Sequence, residues 1–180
     1  MRNVSIKKGV VIKLILVMVI FSLVACDSRQ NNPKKIEFLN GSFAVIKPAS
    51  WSLRSDLNDV ADVQMGNLFK EAYVIIISEN KMDFDNISLE NHSDLTRALI
   101  KRSLKNYHES GPEYLNNGEF RTLRYQLTGI VNGINIVYWH VTIETKKYFH
   151  QILLWSLKSK FSKNEADFNA VIQSFEVINE

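Results

Sequence analysis

Residues 134–157 read INIVYWHVTIETKKYFHQILLWSL. Lys146-Lys147 divides this run into two strands, Ile134–Thr145 and Tyr148–Leu157. Side chains alternate across a strand. The first strand therefore puts Ile134, Ile136 and Tyr138 on one face, and Val137, Trp139, Val141 and Ile143 on the other. The second puts Ile152 and Leu154 on one face, and Phe149, Leu153, Trp155 and Leu157 on the other. A sheet with one wet face alternates apolar with polar, and these strands are apolar on both. They belong inside a sheet that is covered on both sides.

The neighbouring segments extend this sheet. Asn132-Gly133 turns the chain back into Phe120–Ile130, which carries Leu123, Tyr125 and Leu127 on one face, and Asn117-Gly118 marks a further turn. Ala72–Ser78 (AYVIIIS) is another strand apolar on both faces, and Asp62–Asn67 precedes it. Ile36–Phe38 and Phe43–Ile46 flank the hairpin signal Asn40-Gly41, and Pro48 ends the second of them, just before Trp51. Two helices supply cover. Ser88–His108 opens on an N-cap serine, carries the stripe Leu89, Leu95, Leu99, Ile100, Leu104 and Tyr107, and stops at Gly111-Pro112. Its Lys101, Arg102 and Lys105 fall on the wetter side. Asn164–Ser174 carries Phe168, Val171 and Ile172, with Phe175 just beyond. The pattern predicts an α+β fold: an antiparallel β-sheet covered by helices on both faces.

The N-terminus is of a different kind. Arg2, Lys7, Lys8 and Lys13 precede Leu14–Ala25, an apolar run broken only by Ser22. It is too short to span a bilayer comfortably and matches a secretory signal over residues 1–25. Cys26, the single cysteine, cannot form an internal disulfide. The run Leu23-Val24-Ala25-Cys26 resembles the lipobox of bacterial lipoproteins. That resemblance implies a Cys26 thiol carrying diacylglycerol, with cleavage just before it. Asp27 resembles the signal that retains enterobacterial lipoproteins in the inner membrane, which favours the inner over the outer membrane. Residues 26–35 then form an acylated cysteine and flexible tether, and 36–180 one globular domain. The location implied is the cell envelope, lipid-anchored and facing the periplasm.

Charge excludes one class of partner. The chain has 22 basic and 19 acidic residues and a formal charge of +3. Four of the basic residues lie in the signal, which has no acidic ones; without it the balance is slightly negative. No nucleic-acid partner is expected.

The residues Gly129-Ile130-Val131-Asn132-Gly133, Ile136-Val137-Tyr138, Phe149-His150-Gln151-Ile152 with Trp155, and Phe168, Val171, Ile172 and Phe175 resemble the DcrB family of bacterial lipoproteins. Phe43-Ala44-Val45, Pro48 and Trp51 are similar to the start of PsbP-like domains, to which that family is structurally related. The resemblance spans roughly residues 36–178 and implies a PsbP-like α/β/α sandwich. It further implies a non-enzymatic envelope lipoprotein linked to phage adsorption or envelope integrity. PsbP relatives are accessory subunits of a larger photosynthetic assembly.

No catalytic motif stands out. There is no G-x-S-x-G elbow, Walker A loop or G-x-G-x-x-G. His140 and His150, on adjacent strands, could bracket a metal with Glu144; two hydrogen-bonded strand histidines need no ion. His92 and His108 are too far apart on the expected helix to share one. Asp83 with Asp85, and Asp56, Asp59 and Asp62, lack the calcium-loop pattern. No catalytic residue, cofactor or metal is expected. Trp51, Trp139 and Trp155 form the candidate interaction surface. The expectation is a non-catalytic docking or accessory factor whose partners are the membrane, through its lipid, and envelope or inner-membrane proteins. The alternative is a module that binds a small molecule or lipid.

Overall fold

The computed structural model describes residues 32–180. The expected signal (1–25), Cys26 and Asp27 lie outside the described residues. The strands are β1 (Lys34–Phe38), β2 (Phe43–Lys47), β3 (Ser52–Leu53), β4 (Val63–Asn67), β5 (Ala72–Asn80), β6 (Lys105–Asn117), β7 (Phe120–Val131), β8 (Ile134–Glu144), β9 (Tyr148–Leu157) and β10 (Glu176–Val177). The helices are α1 (Leu89–Ser103) and α2 (Phe161–Gln173). Seven strands pair in the order β3-β4-β5-β9-β8-β7-β6, and a smaller sheet runs β1-β2-β10; every pairing is antiparallel. β1 begins at Lys34, so Lys34 and Lys35, assigned to the tether from sequence, are strand residues; Lys35 pairs with Glu176.

The hairpin signals act as read. Val131 pairs with Ile134 around a two-residue turn, with Asn132 at φ 50° and Gly133 at φ 83°. Both are left-handed, the combination that Asn-Gly tolerates and that matches strand twist. β5, β9 and β8 are adjacent interior strands. Val74, Ile76, Val141, Ile143, Ile152 and Leu154 are fully buried on their shared face.

The two faces have different cover. Trp139 and His140 are successive residues of β8, so they point to opposite faces. Rings of Phe161 and Phe168, on α2, lie 5.4 and 6.0 Å from Trp139. Thr96 of α1 hydrogen-bonds His140 at 2.9 Å. α2 shares its face with the small sheet: Phe38 and Phe43 join the same core cluster as Phe168 and Val171. α1 packs mainly against β7, β8 and β9. The expectation of helices covering both faces thus holds in part, because a sheet supplies much of one cover and the other cover is incomplete.

α1 also departs from its expected length and face. Ser88 is the N-cap, its Oγ accepting from Asn91 N at 3.1 Å. The helix stops at Ser103, not His108: Leu104 turns to extended backbone and Lys105 pairs with Ile130 of β7. The apolar period runs on to Tyr107. However, β7 would otherwise present an open edge, and pairing it as β6 satisfies a row of backbone groups. Tyr107, His108 and Gly111-Pro112 are therefore strand residues. The helix is also rotated from the predicted stripe. Leu95 and Leu99 are 50% and 59% exposed, while His92, Ser93, Thr96 and Arg97 are buried. The sheet face below is itself polar at His140 and Thr142. Buried polar groups need partners, and the helix supplies them. α2 starts at Phe161, three residues before the predicted Asn164, because Phe161 enters the core beside Trp139.

Candidate functional site

Beyond the reach of α1, the His140 face of the large sheet carries a row of aromatic side chains. Register places Tyr73 of β5 opposite Trp155 of β9, and Trp155 opposite Tyr138 of β8. The Tyr73 and Trp155 rings stack at 5.5 Å and 27°, and Tyr138 lies 6.0 Å from Trp155. All three are half-buried. Burial on one side raises the Tyr138 hydroxyl above its usual pKa. The row ends at Gly66 of β4, opposite Tyr73. A Cβ on Gly66 would come within 2.7 Å of Tyr73 Cδ1, so the glycine gives the Tyr73 ring room to lie flat over β4. Rings that show one face to solvent and lock the other by stacking are good anchors: they offer area at small entropic cost.

The other two tryptophans are placed differently. Trp51 is 3% exposed, donates from Nε1 to Asp167 Oδ2 at 2.9 Å, and meets Phe168 edge-on at 6.0 Å. Trp139 is 5% exposed, with the Arg124 guanidinium 4.1 Å above its ring and Nε1 donating to Gln126 Oε1 at 3.3 Å. Both point into the face that α2 covers, so neither offers a ring to a partner. The candidate surface narrows to Trp155, joined by Tyr73 and Tyr138, which sequence reasoning did not single out.

The histidines do not converge. His140 is opposite Leu153, and His150 is opposite Ile143. They thus project from opposite faces and cannot share an ion. His150 sits among Phe38, Phe43, Tyr148 and Phe175, with Ser78 Oγ at 2.8 Å from Nδ1. Burial pushes its pKa down to about 3. His140 is also lowered to about 3, first by burial and then by the charges of Arg97 and His92. Glu144, the third member of the expected set, is engaged by Lys81 and Arg121. Among the described residues no group of three His, Cys, Asp or Glu side chains is arranged to hold a metal. His92 is on the buried side of α1, hydrogen-bonded to Glu79 at 2.8 Å, and His108 is on β6. Asp62 accepts from Ser78 N and Asp56 pairs with Arg54, which are structural roles.

Under α1 lies a polar layer that sequence gave no sign of. Arg97 donates to Ser93 and Asp94 at 2.9 and 2.6 Å and lies 3.3 Å over the Tyr125 ring. His92 Nδ1, His140 Nδ1 and Thr142 Oγ1 are buried there without a protein hydrogen-bond partner among the described residues. Two surface hollows stand out. One, of about 450 Å³, is lined by Ile134, Asn135, Leu157, Lys158 and Ser159. The other, of about 380 Å³, includes Glu113, Arg124, Gln126, Trp139 and Glu165.

No protein-family profile and no curated protein matches the sequence. The fold has solved counterparts. Cyanobacterial PsbP (CyanoP) from Synechocystis is similar with a TM-score of 0.59 and 12% identity, over 87% of this chain and 99% of that one. LpqN, a protein involved in cell envelope biogenesis of Mycobacterium tuberculosis, is similar with a TM-score of 0.60 and 11% identity, over 81% of this chain and 90% of that one. A Pseudomonas aeruginosa protein of unknown function gives a TM-score of 0.51 at 9% identity, over 79% and 95%. The fold is PsbP-like, and at such identities the likeness concerns the fold alone.

Proposed function

We propose that this protein is a non-catalytic accessory factor of the bacterial cell envelope. It is held to the membrane through acylated Cys26, and Asp27 favours the inner membrane. It docks to envelope proteins through the Trp155 face. The observation that carries the docking is the half-buried row Tyr73–Trp155–Tyr138 on the incompletely covered face of the sheet. Among the described residues no helix is long and apolar enough to cross a membrane. LpqN, with the same fold, is an envelope-biogenesis protein. The DcrB-like pattern of residues points to the same setting, including a link to phage adsorption or envelope integrity. Anchoring confines the domain near the bilayer and raises its effective concentration for membrane partners without new contacts.

A photocrosslinking residue in place of Tyr138, in the full chain and in intact cells, tests the docking. One discrete adduct is expected. Trp155→Ala should lower its yield about thirtyfold, as truncating an aromatic anchor does. A diffuse set of adducts, or one indifferent to Trp155→Ala, contradicts the reading. The second reading, a ligand-binding module, rests on the hollow at Arg124, where a guanidinium, an amide and two carboxylates converge. A small molecule retained in a native mass spectrum of the purified protein would favour it.

A further inference from the structure

One end of the large sheet combines exposed apolar residues with a concentration of positive charge. The β4–β5 turn, the exit of β9, the β7–β8 turn and the entry to β6 all lie there: Ala72 is opposite Ser156, Ile136 opposite Leu157, Val131 opposite Ile134 and Lys105 opposite Ile130. Phe69, on the β4–β5 turn, is 95% exposed, with Leu68 at 62% and Ile134 at 51%. The Phe69 turn is firmly built. Asn67 Oδ1 accepts from Lys70 N at 3.0 Å, Leu68 O accepts from Glu71 N at 3.2 Å, and Lys160 Nζ donates to Phe69 O at 3.4 Å. A turn held this way presents its phenyl ring outward at a standing hydration cost.

The charge here is one-sided. Lys101, Arg102, Lys105 and Lys158 are exposed. None of the four has a carboxylate partner among the described residues. A single hollow, lined by Asn106, Ile130 and Lys158 together, joins the α1 side of this end to the β9 side. The acidic residue on the Phe69 turn, Glu71, is already paired with Lys160. The opposite end of the sheet is mixed in charge: exposed Asp83, Asp85 and Glu119 stand there beside exposed Lys146 and Lys147. The chain also enters near the Phe69 turn. Lys34 is opposite Lys47, whose Nζ donates to Trp51 O at 2.6 Å, and the adjacent Ser50 O accepts from Asn67. Seven residues lie between Cys26 and Lys34, a reach of no more than about 29 Å.

We infer that this end rests on the anionic lipid surface, with Phe69, Leu68 and Ile134 entering the headgroup layer and the four unpaired basic residues meeting lipid phosphates. This rests on the anchoring reading, since the tether brings the tip to the bilayer. Apolar prongs ringed by Lys and Arg match what an anionic interface binds. Docked this way, the domain has a fixed orientation, with the strands upright and the Trp155 face turned sideways toward neighbouring membrane proteins.

The test uses the full processed chain in vesicles. With Cys26 acylated, Asn135→Cys supplies a unique free thiol for a fluorophore beside the tip. A nitroxide-bearing lipid should quench it in phosphatidylglycerol vesicles but not in phosphatidylcholine vesicles, and about 1 M salt should relieve the quenching. Replacing Lys101, Arg102 and Lys158 with Glu should lower the docked-to-free ratio at least about a hundredfold. Phe69→Ser should lower it in either salt. Equal quenching in both vesicles, or quenching indifferent to salt, overturns the inference, and the salt arm needs no variant beyond the labelled Asn135→Cys chain. Quenching that appears only after envelope proteins are added would assign the tip to a protein partner and likewise overturn it. Labelling of the parent chain at Cys26 would instead contradict the anchoring, and the tip is then judged by flotation of the same chain with the two vesicle types.

Discussion

Trp139→Ala should destabilise the domain by about 3–5 kcal/mol, while Trp155→Ala costs only about 1 kcal/mol. Both residues are tryptophans on adjacent central strands, so the contrast isolates burial. Trp139 is 5% exposed, wedged between Phe161, Phe168 and the Arg124 guanidinium, and truncation leaves a cavity the rigid sheet cannot close. Trp155 loses its contacts with Tyr73 and Tyr138, but solvent takes its place. Urea unfolding of the two variants measures the difference. A Trp155→Ala loss as large as that of Trp139→Ala would mean that the aromatic row is core, and the docking face would have to be sought elsewhere.

Acid should unfold the domain steeply, and two buried histidines should account for much of the slope. His140 and His150 have folded pKa values near 3, against about 6.5 in the open chain. Between those values the unfolded chain binds protons that the folded one refuses. Stability therefore rises with pH across this window. The contribution is complete above about pH 6.5 and is lost as pH falls toward 3, at about 1.4 kcal/mol per pH unit for each histidine. His140→Gln and His150→Gln should each flatten the plot of unfolding free energy against pH by about that amount, whatever they do to stability at pH 7. Parallel plots for the parent and the double variant would mean that the folded protein already admits the protons.

Much of the sheet was legible because alternation and turn chemistry are local. Trp139 and Val141 on one face, Tyr138 on the other, and Asn132-Gly133 at the turn follow from spacing alone. The opposition of His140 and His150 was also within reach. A turn at Lys146-Lys147 fixes which residues pair, and it puts His140 beside Leu153, not beside His150. What spacing could not show was set by tertiary contacts. α1 ends early because β7 needs an edge partner. It turns Leu95 and Leu99 outward because His92 finds Glu79, Thr96 finds His140 and Arg97 finds Tyr125. Those partners are far away in sequence. The same holds for the site: that Trp155 is open while Trp51 and Trp139 are closed depends on where α1 and α2 lie. The exposure of Phe69 has no periodic signature either, since it belongs to a short turn.

The central claim is that a lipid on Cys26 holds a docking domain at the membrane. Labelled palmitate, fed to cells making either the parent chain or Cys26→Ser, tests it most directly. The parent should take up label and appear at processed size, while Cys26→Ser should remain an unprocessed precursor without label. A parent chain that takes up no label, or a Cys26→Ser chain that still does, would contradict the account.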